Sequence, residues 1–501
     1  MGDGRQEDTH HSKLEIYTET WRLEFLKIKH VMQDYSIPLL LGACISLIWI
    51  NSSPATYEHV FGPYNKYNHP LELLNGTIFG HHATFLFLIN DGFMVFFFGH
   101  AAKEIVESLL PGGSLNPLKK AICPLFATLG GIIGPVLVFL AILSIQIGSN
   151  AYDLDVYPRE TLSNGWVVAT PTDIPLACLL ATSVFGKGHP AINFLLLLAI
   201  ADDALGLIII AVFYPDPHHP VRPAWLCLVL CGMLAAFLMR RLLKCNFWQP
   251  YVFLCGFPSW VGLMKSGIHP ALALVPIVPF IPGDALCPRQ FPWPWKKREE
   301  PIQYTTTTPL NKFEHDVKDF IDFGMFFFGL ANAGVRLTSF GHMTVCVALS
   351  LMIGKPFGIL TITFLVSRIK GMHHGLETND LLMMAVMSGL ALTVSLFVAG
   401  IAFEDIELQE QAKLGALLAS ILIGIVCLAV AKSGKLYKVQ HNHRFMILLG
   451  AAKFLAAGRK HNKSNKIFVQ NSGEECKTPI EETSFMKAKG SPKVSPHHNI
   501  C

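Results

Sequence analysis

Two adjacent carboxylates, Asp202 and Asp203, lie in the middle of the apolar stretch 191–214. This stretch is long enough to cross a bilayer as a helix, so both acids would lie near the membrane midplane. A carboxylate there costs about 2.5–3.5 kcal/mol on insertion scales, and a bound cation, a proton or a basic side chain must compensate that cost. The pair is therefore predicted to bind cations and protons. A structural pair packed against helix ends inside the bundle is the alternative.

Adjacent residues of a helix point about 100° apart, so Asp202 and Asp203 cannot both face the same partner. This geometry predicts a division of labour, in which one carboxylate is the main cation ligand and the other is paired or supporting. Hard cations such as Na⁺ bind carboxylate, carbonyl and water oxygens, whereas zinc and copper favour clusters of Cys and His. No such cluster accompanies these two acids in the sequence, which argues against zinc or copper.

A single charged side chain, Lys355, lies at the centre of the apolar run 344–366, within a Gly-Lys-Pro sequence. An intramembrane lysine needs a counter-anion, and Asp173, Asp202 and Asp203 are the acids expected at this depth. We therefore expect Lys355 to pair with one of them. The alternative is a lysine that extends its charged end to the membrane interface.

Asp173 lies between Pro171 and Pro175 in an otherwise apolar span. Proline removes a backbone donor and clashes with the preceding turn, which predicts an interrupted helix. A second interruption is predicted between Ser388 and Ser395, because small and hydroxylated residues cluster there. Transporters use such broken helices in pairs, with their ends facing the substrate. The side chains expected to supply oxygens or cap the broken ends are Thr172, Asp173, Thr393 and Ser395. A plain proline kink capped by Asp173 is the alternative.

The composition places these residues in a membrane protein. The chain has 501 residues, of which 51% are hydrophobic and only 15% charged, and its mean hydropathy is +0.41. These values predict an all-α polytopic membrane protein in contact with the lipid bilayer. The net charge of +4 is too small to indicate a nucleic-acid partner. The sequence has neither a glycine-rich phosphate loop nor a nucleophile with its base, so we do not expect an enzyme.

Apolar runs divide the chain into about twelve spans, of which the fourth and eleventh are the interrupted ones. The spans are expected near 37–50, 85–102, 121–147, from 166 onwards, and near 191–214, 224–239, 251–264, 267–282, 320–335, 344–366, 381–403 and 414–431. Residues 52–80 are expected to form a loop with some strand, and residues 283–316 form the longest internal loop.

Three regions follow from this division: a cytoplasmic N-terminal segment (1–35), a transmembrane domain (36–432) and a basic, largely disordered cytoplasmic tail (433–501). Most Lys and Arg residues of the short loops lie on the same side as the N-terminus. By the positive-inside rule, both termini are therefore expected in the cytoplasm.

Six segments together have a familiar pattern. They are GWVVATPTDIPLACLLA (165–181), LLLLAIADDALGLIIIAVFY (195–214), KSGIHPALA (265–273), FGLANAGV (328–335), IGKPFGI (353–359) and SGLALTVSLFVAGIAF (388–403). In order and content they resemble the NhaA-type sodium/proton antiporter family, from about residue 35 to 432. The Asp-Asp, Thr-Asp and Gly-Lys-Pro motifs together make this resemblance specific.

The resemblance implies inverted repeats, in which the fourth and eleventh helices are unwound and cross near the midplane. It implies that Asp202 and Asp203 bind Na⁺ and protons, that Asp202 is the partner of Lys355, and that Thr172 and Asp173 support the site. The implied activity is electrogenic exchange of two protons for one Na⁺ or Li⁺ by alternating access, which regulates pH and sodium. A bacterial inner membrane, a homodimer and no cofactor beyond the transported ions are also implied.

The chain departs from the family pattern at the end of the second span, which reads FFFGHAAKEIVESLL. His100, Lys103 and Glu104 occupy part of a region where the best-known members carry a denser charge cluster, which puts the family's pH dependence in doubt for this chain. Asp91 is expected to be structural or to line an outer funnel. The alternative function is proton-coupled transport of another small ion, or of an organic anion bound by Lys355. A channel is a further alternative.

Overall fold

The computed structural model describes most of the predicted transmembrane domain. The described residues are 36–62, 72–78, 81–110, 113, 118–186, 188–214, 222–283, 308–368 and 376–433. The predicted N-terminal segment 1–35 and nearly all of the predicted tail 433–501 lie outside these residues.

The first part of the chain contains two strands and seven helices. The helices are α1 (Ile37–Ser52), α2 (Pro54–Phe61), α3 (Phe85–Leu109), α4 (Leu118–Gly148), α5 (Arg159–Ala169), α6 (Ile174–Phe185) and α7 (Pro190–Phe213). The strands β1 (Glu72–Ile78) and β2 (His81–Thr84) pair antiparallel just before α3. The expected loop 52–80 thus contains a short helix and a strand.

The second part contains seven further helices. They are α8 (Pro223–Arg241), α9 (Gly256–Ser266), α10 (Pro309–Asn332), α11 (His342–Ser367), α12 (Thr378–Met387), α13 (Thr393–Ala402) and α14 (Ile406–Ser433). A π-helical turn, Tyr251–Cys255, leads into α9, and another, Ser350–Gly354, lies within α11.

Within the described residues, six helices are long and apolar enough to cross a membrane: α3, α4, α7, α8, α11 and α14. A seventh span results if α5 and α6 count as one, since they meet at an angle of 45° across a short break. The chain is therefore an integral, predominantly α-helical membrane protein. The number of about twelve spans stays a prediction.

Two expectations about the middle of the chain were wrong. Residues 267–282 form two short 3₁₀ turns, Pro270–Leu272 and Val278–Phe280, rather than a continuous helix. The prolines at 270, 276 and 279 each remove a backbone donor, so the apolar composition does not produce an α-helix here. Helix α10 begins at Pro309, inside the loop predicted for 283–316, and the Thr308 hydroxyl caps it by accepting from the backbone N–H of Asn311.

Two interruptions separate α5 from α6 and α12 from α13. The first spans residues 170–173 and contains Pro171, and the second spans residues 388–392 and contains Gly389. The two interruptions are joined by a backbone hydrogen bond of 2.7 Å from the N–H of Asp173 to the carbonyl of Leu390. Four helix ends therefore meet at one place in the bundle.

Glycines on α4 and α11 bring the helix that carries Lys355 close to its neighbour. Gly130 and Gly134 on α4 lie against Gly354 and Gly358 on α11, and a Cβ at any of the four would clash with the opposite backbone. This close contact places Lys355 in the interior, where its side chain is inaccessible to solvent.

Candidate ion-binding site

The site is centred on the middle of α7, where Asp202 and Asp203 follow one another. Asp202 is buried, whereas Asp203 is partly accessible. The interrupted helix pairs and α11 surround the first acid, and α3 and α10 face the second across a cavity. The two neighbouring carboxylates therefore have different surroundings, as the 100° rotation between adjacent helical residues requires.

Asp202 forms an ion pair with Lys355. The Lys355 ammonium lies 2.6 Å from Asp202 Oδ2, and the side chains are 0% and 1% exposed. The Thr172 hydroxyl lies 2.7 Å from the same oxygen. Because both charges are buried and hydrogen-bonded, each compensates the desolvation of the other. Asp202 is therefore already neutralised by the protein itself.

Lys355 makes a second contact that depends on the interruption after α5. Its ammonium donates to the backbone carbonyl of Thr170, the residue after the last of α5. The last carbonyls of a helix have no partner within the helix, so an external donor can satisfy them. The interruption thus supplies one of the acceptors that hold Lys355 in the interior.

Asp173 caps two helices at once. Its Oδ1 accepts from the backbone N–H of Leu176 at the start of α6, and its Oδ2 accepts from the N–H of Thr393 at the start of α13, each at 3.1 Å. Helix N-termini carry partial positive charge, and a carboxylate between two of them is favourably placed. Asp173 therefore holds the two interruptions together, and both of its oxygens are occupied.

Hydroxyl groups add two further links between the interruptions. Thr172 Oγ1 lies 3.0 Å from the carbonyl of Ser388, and the Ser395 hydroxyl donates to the carbonyl of Val168 at 2.7 Å. Thr393 contributes its backbone N–H to the cap at Asp173. The structure thus brings together Thr172, Asp173, Asp202, Lys355, Thr393 and Ser395.

Asp203 has no comparable set of partners. Its Oδ1 is buried and has no hydrogen-bond partner among the described residues. The residue lines a cavity of about 120 Å³ that extends towards Ser36, before the start of α1, and Glu104, near the end of α3. A buried carboxylate oxygen without a partner is costly, and a proton or a cation would remove that cost.

Asp203 also borders a second, much smaller cavity with mainly apolar walls. Its volume is only about 10 Å³, and its walls include Phe98, Leu207, Ile210 and Val394. This volume is at the lower limit for one water molecule. Asp203 therefore lies between a cavity that can hold several waters and a tightly packed apolar region.

Two acids that the sequence analysis did not place near the site line the same cavity. They are Glu104 on α3 and Asp322 on α10. Glu104 was identified only as part of a departure from the family pattern, and Asp322 was missed, although it is an acid in the predicted span 320–335. The sequence therefore did not indicate that these two acids share a cavity with Asp203.

Asp91 lies apart from these groups. It belongs to the π-helical turn Leu88–Phe93 at the start of α3, its Oδ1 is 3.7 Å from His269 Nδ1, and its carbonyl accepts from Trp260 Nε1 at 2.8 Å. These contacts tie α3 to α9 and the following turn. They agree with a structural role and leave the outer-funnel alternative untested.

The described side chains around Asp203 do not form a cluster of metal ligands. Among the described residues, no group of three or more His, Cys, Asp and Glu side chains is arranged to hold a metal ion. A carboxylate is a ligand typical of hard cations.

Comparison with known proteins gives a consistent result. Residues 27–431 match the family described as Na⁺/H⁺ antiporter 1. The chain is 45% identical over 412 residues to the Na⁺/H⁺ antiporter NhaA of Geobacter metallireducens, which covers 82% of this chain and 98% of that protein. It is 45% identical over 419 residues to the NhaA of Desulfitobacterium hafniense, which covers 83% of this chain and 98% of that protein. With the NhaA of Jannaschia sp. it shares 38% identity over 429 residues, 79% of this chain and 97% of that protein.

Proposed function

This chain belongs to the Na⁺/H⁺ antiporter 1 family, and on that premise we propose that it exchanges Na⁺ or Li⁺ for protons across the membrane. The observation that carries this proposal is the contrast at the middle of α7. Asp202 is neutralised by Lys355, whereas Asp203 has a buried oxygen without a partner beside a cavity. Asp203 is thus the carboxylate that needs a proton or a cation.

The exchange works by competition for the Asp203 carboxylate. Protonated Asp203 is neutral and offers no strong cation ligand, whereas ionised Asp203 attracts a small cation. Because one carboxylate cannot be satisfied by both at once, binding of Na⁺ expels the proton and binding of the proton expels Na⁺. Thr172 supports this scheme by holding Asp202 in its pair with Lys355.

The second proton belongs to the Asp202–Lys355 pair. If one proton moves on Asp203 and another on this pair, two protons cross for each Na⁺, and each cycle carries one net charge. Membrane voltage then contributes about 2.3 kcal/mol per 100 mV to the exchange. The two buried charges act as coupled groups, so this proton belongs to the pair rather than to one residue.

Alternating access is supported by the different volumes on the two sides of Asp203. The larger cavity reaches Asp203 from the end of the bundle at which α1 begins, and the opposite side is packed with apolar side chains. We infer that the fold consists of about twelve spans in inverted repeats, with the interrupted helices crossing at the site. A rocking movement would then expose Asp203 to the other side.

The proposal extends to location and assembly. The relatives named above come from bacteria, and we infer that this chain works in a bacterial plasma membrane with both termini in the cytoplasm, as a homodimer and with no resident cofactor. In this orientation the larger cavity reaches Asp203 from the cytoplasmic side.

The proposal is tested with purified protein in proteoliposomes that contain a pH-sensitive dye. Addition of Na⁺ or Li⁺ should drive protons across the membrane in the wild type. Asp203→Asn should reduce this movement at least about 100-fold, because a neutral amide cannot exchange a proton for a cation. Asp155→Asn, which makes the same change at an exposed position, should leave the movement unchanged.

Two outcomes would contradict the proposal. Near-normal exchange by Asp203→Asn would show that Asp203 is not the exchanging carboxylate. Proton movement driven by organic anions instead of Na⁺ or Li⁺ would favour a proton-coupled anion transporter. We expect no anion transport, since Lys355 is already occupied by Asp202 and the carbonyl of Thr170. Currents far above carrier turnover rates would indicate a channel.

A further inference from the structure

A short segment, residues 333–341, connects α10 to α11 at the end of the bundle where α1 ends. The larger cavity lies towards the other end, where α1 begins, and Ile321 and Met325 of α10 line its wall. Helix α11 carries Lys355 and therefore belongs to the helices that hold the site. The segment thus joins the wall of the larger cavity to the helices of the site.

On the side of the wall, the segment is attached to α1 and α2. Asn51, near the end of α1, accepts from the backbone N–H of Leu337 at 3.0 Å and donates to the carbonyl of Val335 at 3.1 Å. The Arg336 guanidinium donates to Glu58 on α2. The segment is therefore anchored to the wall by backbone hydrogen bonds and by an ion pair.

On the side of the site, the segment is held by Glu410 on α14. Its Oε2 accepts from the Ser339 hydroxyl, and its Oε1 lies 4.0 Å from Arg336 Nε. Helix α14 is in turn tied to α11, because the Thr344 hydroxyl donates to the carbonyl of Gln411 at 2.9 Å. Glu410 thus links the anchored segment to helices that belong to the site.

The two ion pairs of Arg336 differ in strength. The pair with Glu58 is hydrogen-bonded, whereas Arg336 Nε has no hydrogen-bond partner among the described residues and only faces Glu410. Lys413 also attracts Glu410, and its ammonium lies 3.4 Å from Gln409 Oε1. Because Lys413 belongs to the same helix as Glu410, it adds no link to the segment. The contacts of Glu410 are therefore the weaker of the two attachments.

We propose that Glu410, with its partners Arg336 and Ser339, is a latch that holds this end of the bundle closed while the larger cavity reaches Asp203. The proposal rests on the alternating access proposed above. If the helices of the site rock against the wall, α14 moves away from a segment anchored to α1 and α2, and the contacts of Glu410 break first. Partly exposed ion pairs are individually weak, so the latch shifts the balance between two conformations about two- to fivefold and does not block the movement.

The test is hydrogen–deuterium exchange of the purified full-length chain in lipid nanodiscs, measured by mass spectrometry of its peptides. Glu410→Gln should raise the exchange rate of the backbone amides at 207–213, the end of α7, about two- to fivefold, because this end opens more often. The amides at 37–41, beside the larger cavity, should exchange more slowly by a similar factor. Arg336→Gln should change both rates in the same directions. Glu404→Gln, the same change at an exposed position just before α14, should change neither.

Opposite changes at the two ends distinguish a latch from an ion pair that only stabilises the fold, since general destabilisation would raise the exchange rate at both. The double variant Arg336→Gln with Glu410→Gln should show little more change than Arg336→Gln alone, because both substitutions remove the same contact. Rates that stay unchanged in both single variants, or rise at both ends, overturn the inference, as does an additive double variant. These outcomes do not depend on transport, whereas absence of Na⁺-driven proton movement in the wild type would refute the proposed function.

Discussion

At the midpoint of α7, two adjacent and chemically identical side chains, Asp202 and Asp203, have very different surroundings. On the packed side, Asp202 is 1% exposed and bonded to Lys355 and Thr172. On the cavity side, the next residue, Asp203, has a buried oxygen without a partner among the described residues and borders a space of about 120 Å³. One peptide bond therefore separates a satisfied carboxylate from an unsatisfied one.

This difference shows how the surroundings assign roles to chemically equal groups. A buried ion pair is held by its partners, and loss of one partner leaves an uncompensated charge. A carboxylate beside a cavity can instead exchange its proton for a cation from solution. We therefore expect substitutions on the packed side to change stability, and substitutions on the cavity side to change transport.

The largest effect on stability is expected for Lys355→Ala. Removal of the ammonium leaves Asp202 buried without its counter-charge, which costs about 3–5 kcal/mol. Thermal unfolding in detergent micelles should detect this loss as a lower Tm. The double variant Asp202→Leu with Lys355→Met removes both charges and should recover most of the stability. If Lys355→Ala unfolded at the wild-type temperature, the packed side would not depend on the ion pair.

A smaller effect is expected for Asp173→Ala. This variant loses the caps of α6 and α13, each worth about 1 kcal/mol, so a total loss of about 2 kcal/mol is expected. Asp173→Asn keeps one accepting oxygen, so it can retain one of the two caps and should lose less. The same unfolding measurement applies, and a Tm of Asp173→Ala equal to that of the wild type would show that the caps contribute little.

The smallest effect on stability is expected for Asp202→Asn with Lys355 intact. The amide oxygen still accepts from Lys355, and the lysine can release its proton, so a loss of about 1 kcal/mol is expected. The net charge moved in each transport cycle should fall, because the Asp202–Lys355 pair no longer carries the second proton. Na⁺-driven proton movement should persist while the current across a supported membrane falls. An undiminished current would place the second proton elsewhere.

The sequence was informative wherever a residue type conflicted with its apolar surroundings. Asp202, Asp203 and Lys355 were selected because charge is costly in a membrane, and that cost can be read without coordinates. The helical span expected near 267–282 is not an α-helix, because three prolines interrupt an apolar run whose composition alone favoured one. Asp322 was overlooked because α10 begins within a polar sequence, where an acidic residue does not conflict with its neighbours.

The sequence by itself determined the class of the protein and its family, since hydropathy and the spacing of a few motifs depend only on the order of residues. Only the tertiary structure decided which acid is paired, because residues 30 and 153 positions away from Asp202 supply its partners. It also decided that Glu104, Asp203 and Asp322 border one cavity. The physical reason is that the free-energy cost of a buried charge depends on the apolar segment that contains it, which the sequence shows. The group that compensates the charge can lie anywhere in the chain, and only the packing of the helices determines which group comes within hydrogen-bond distance.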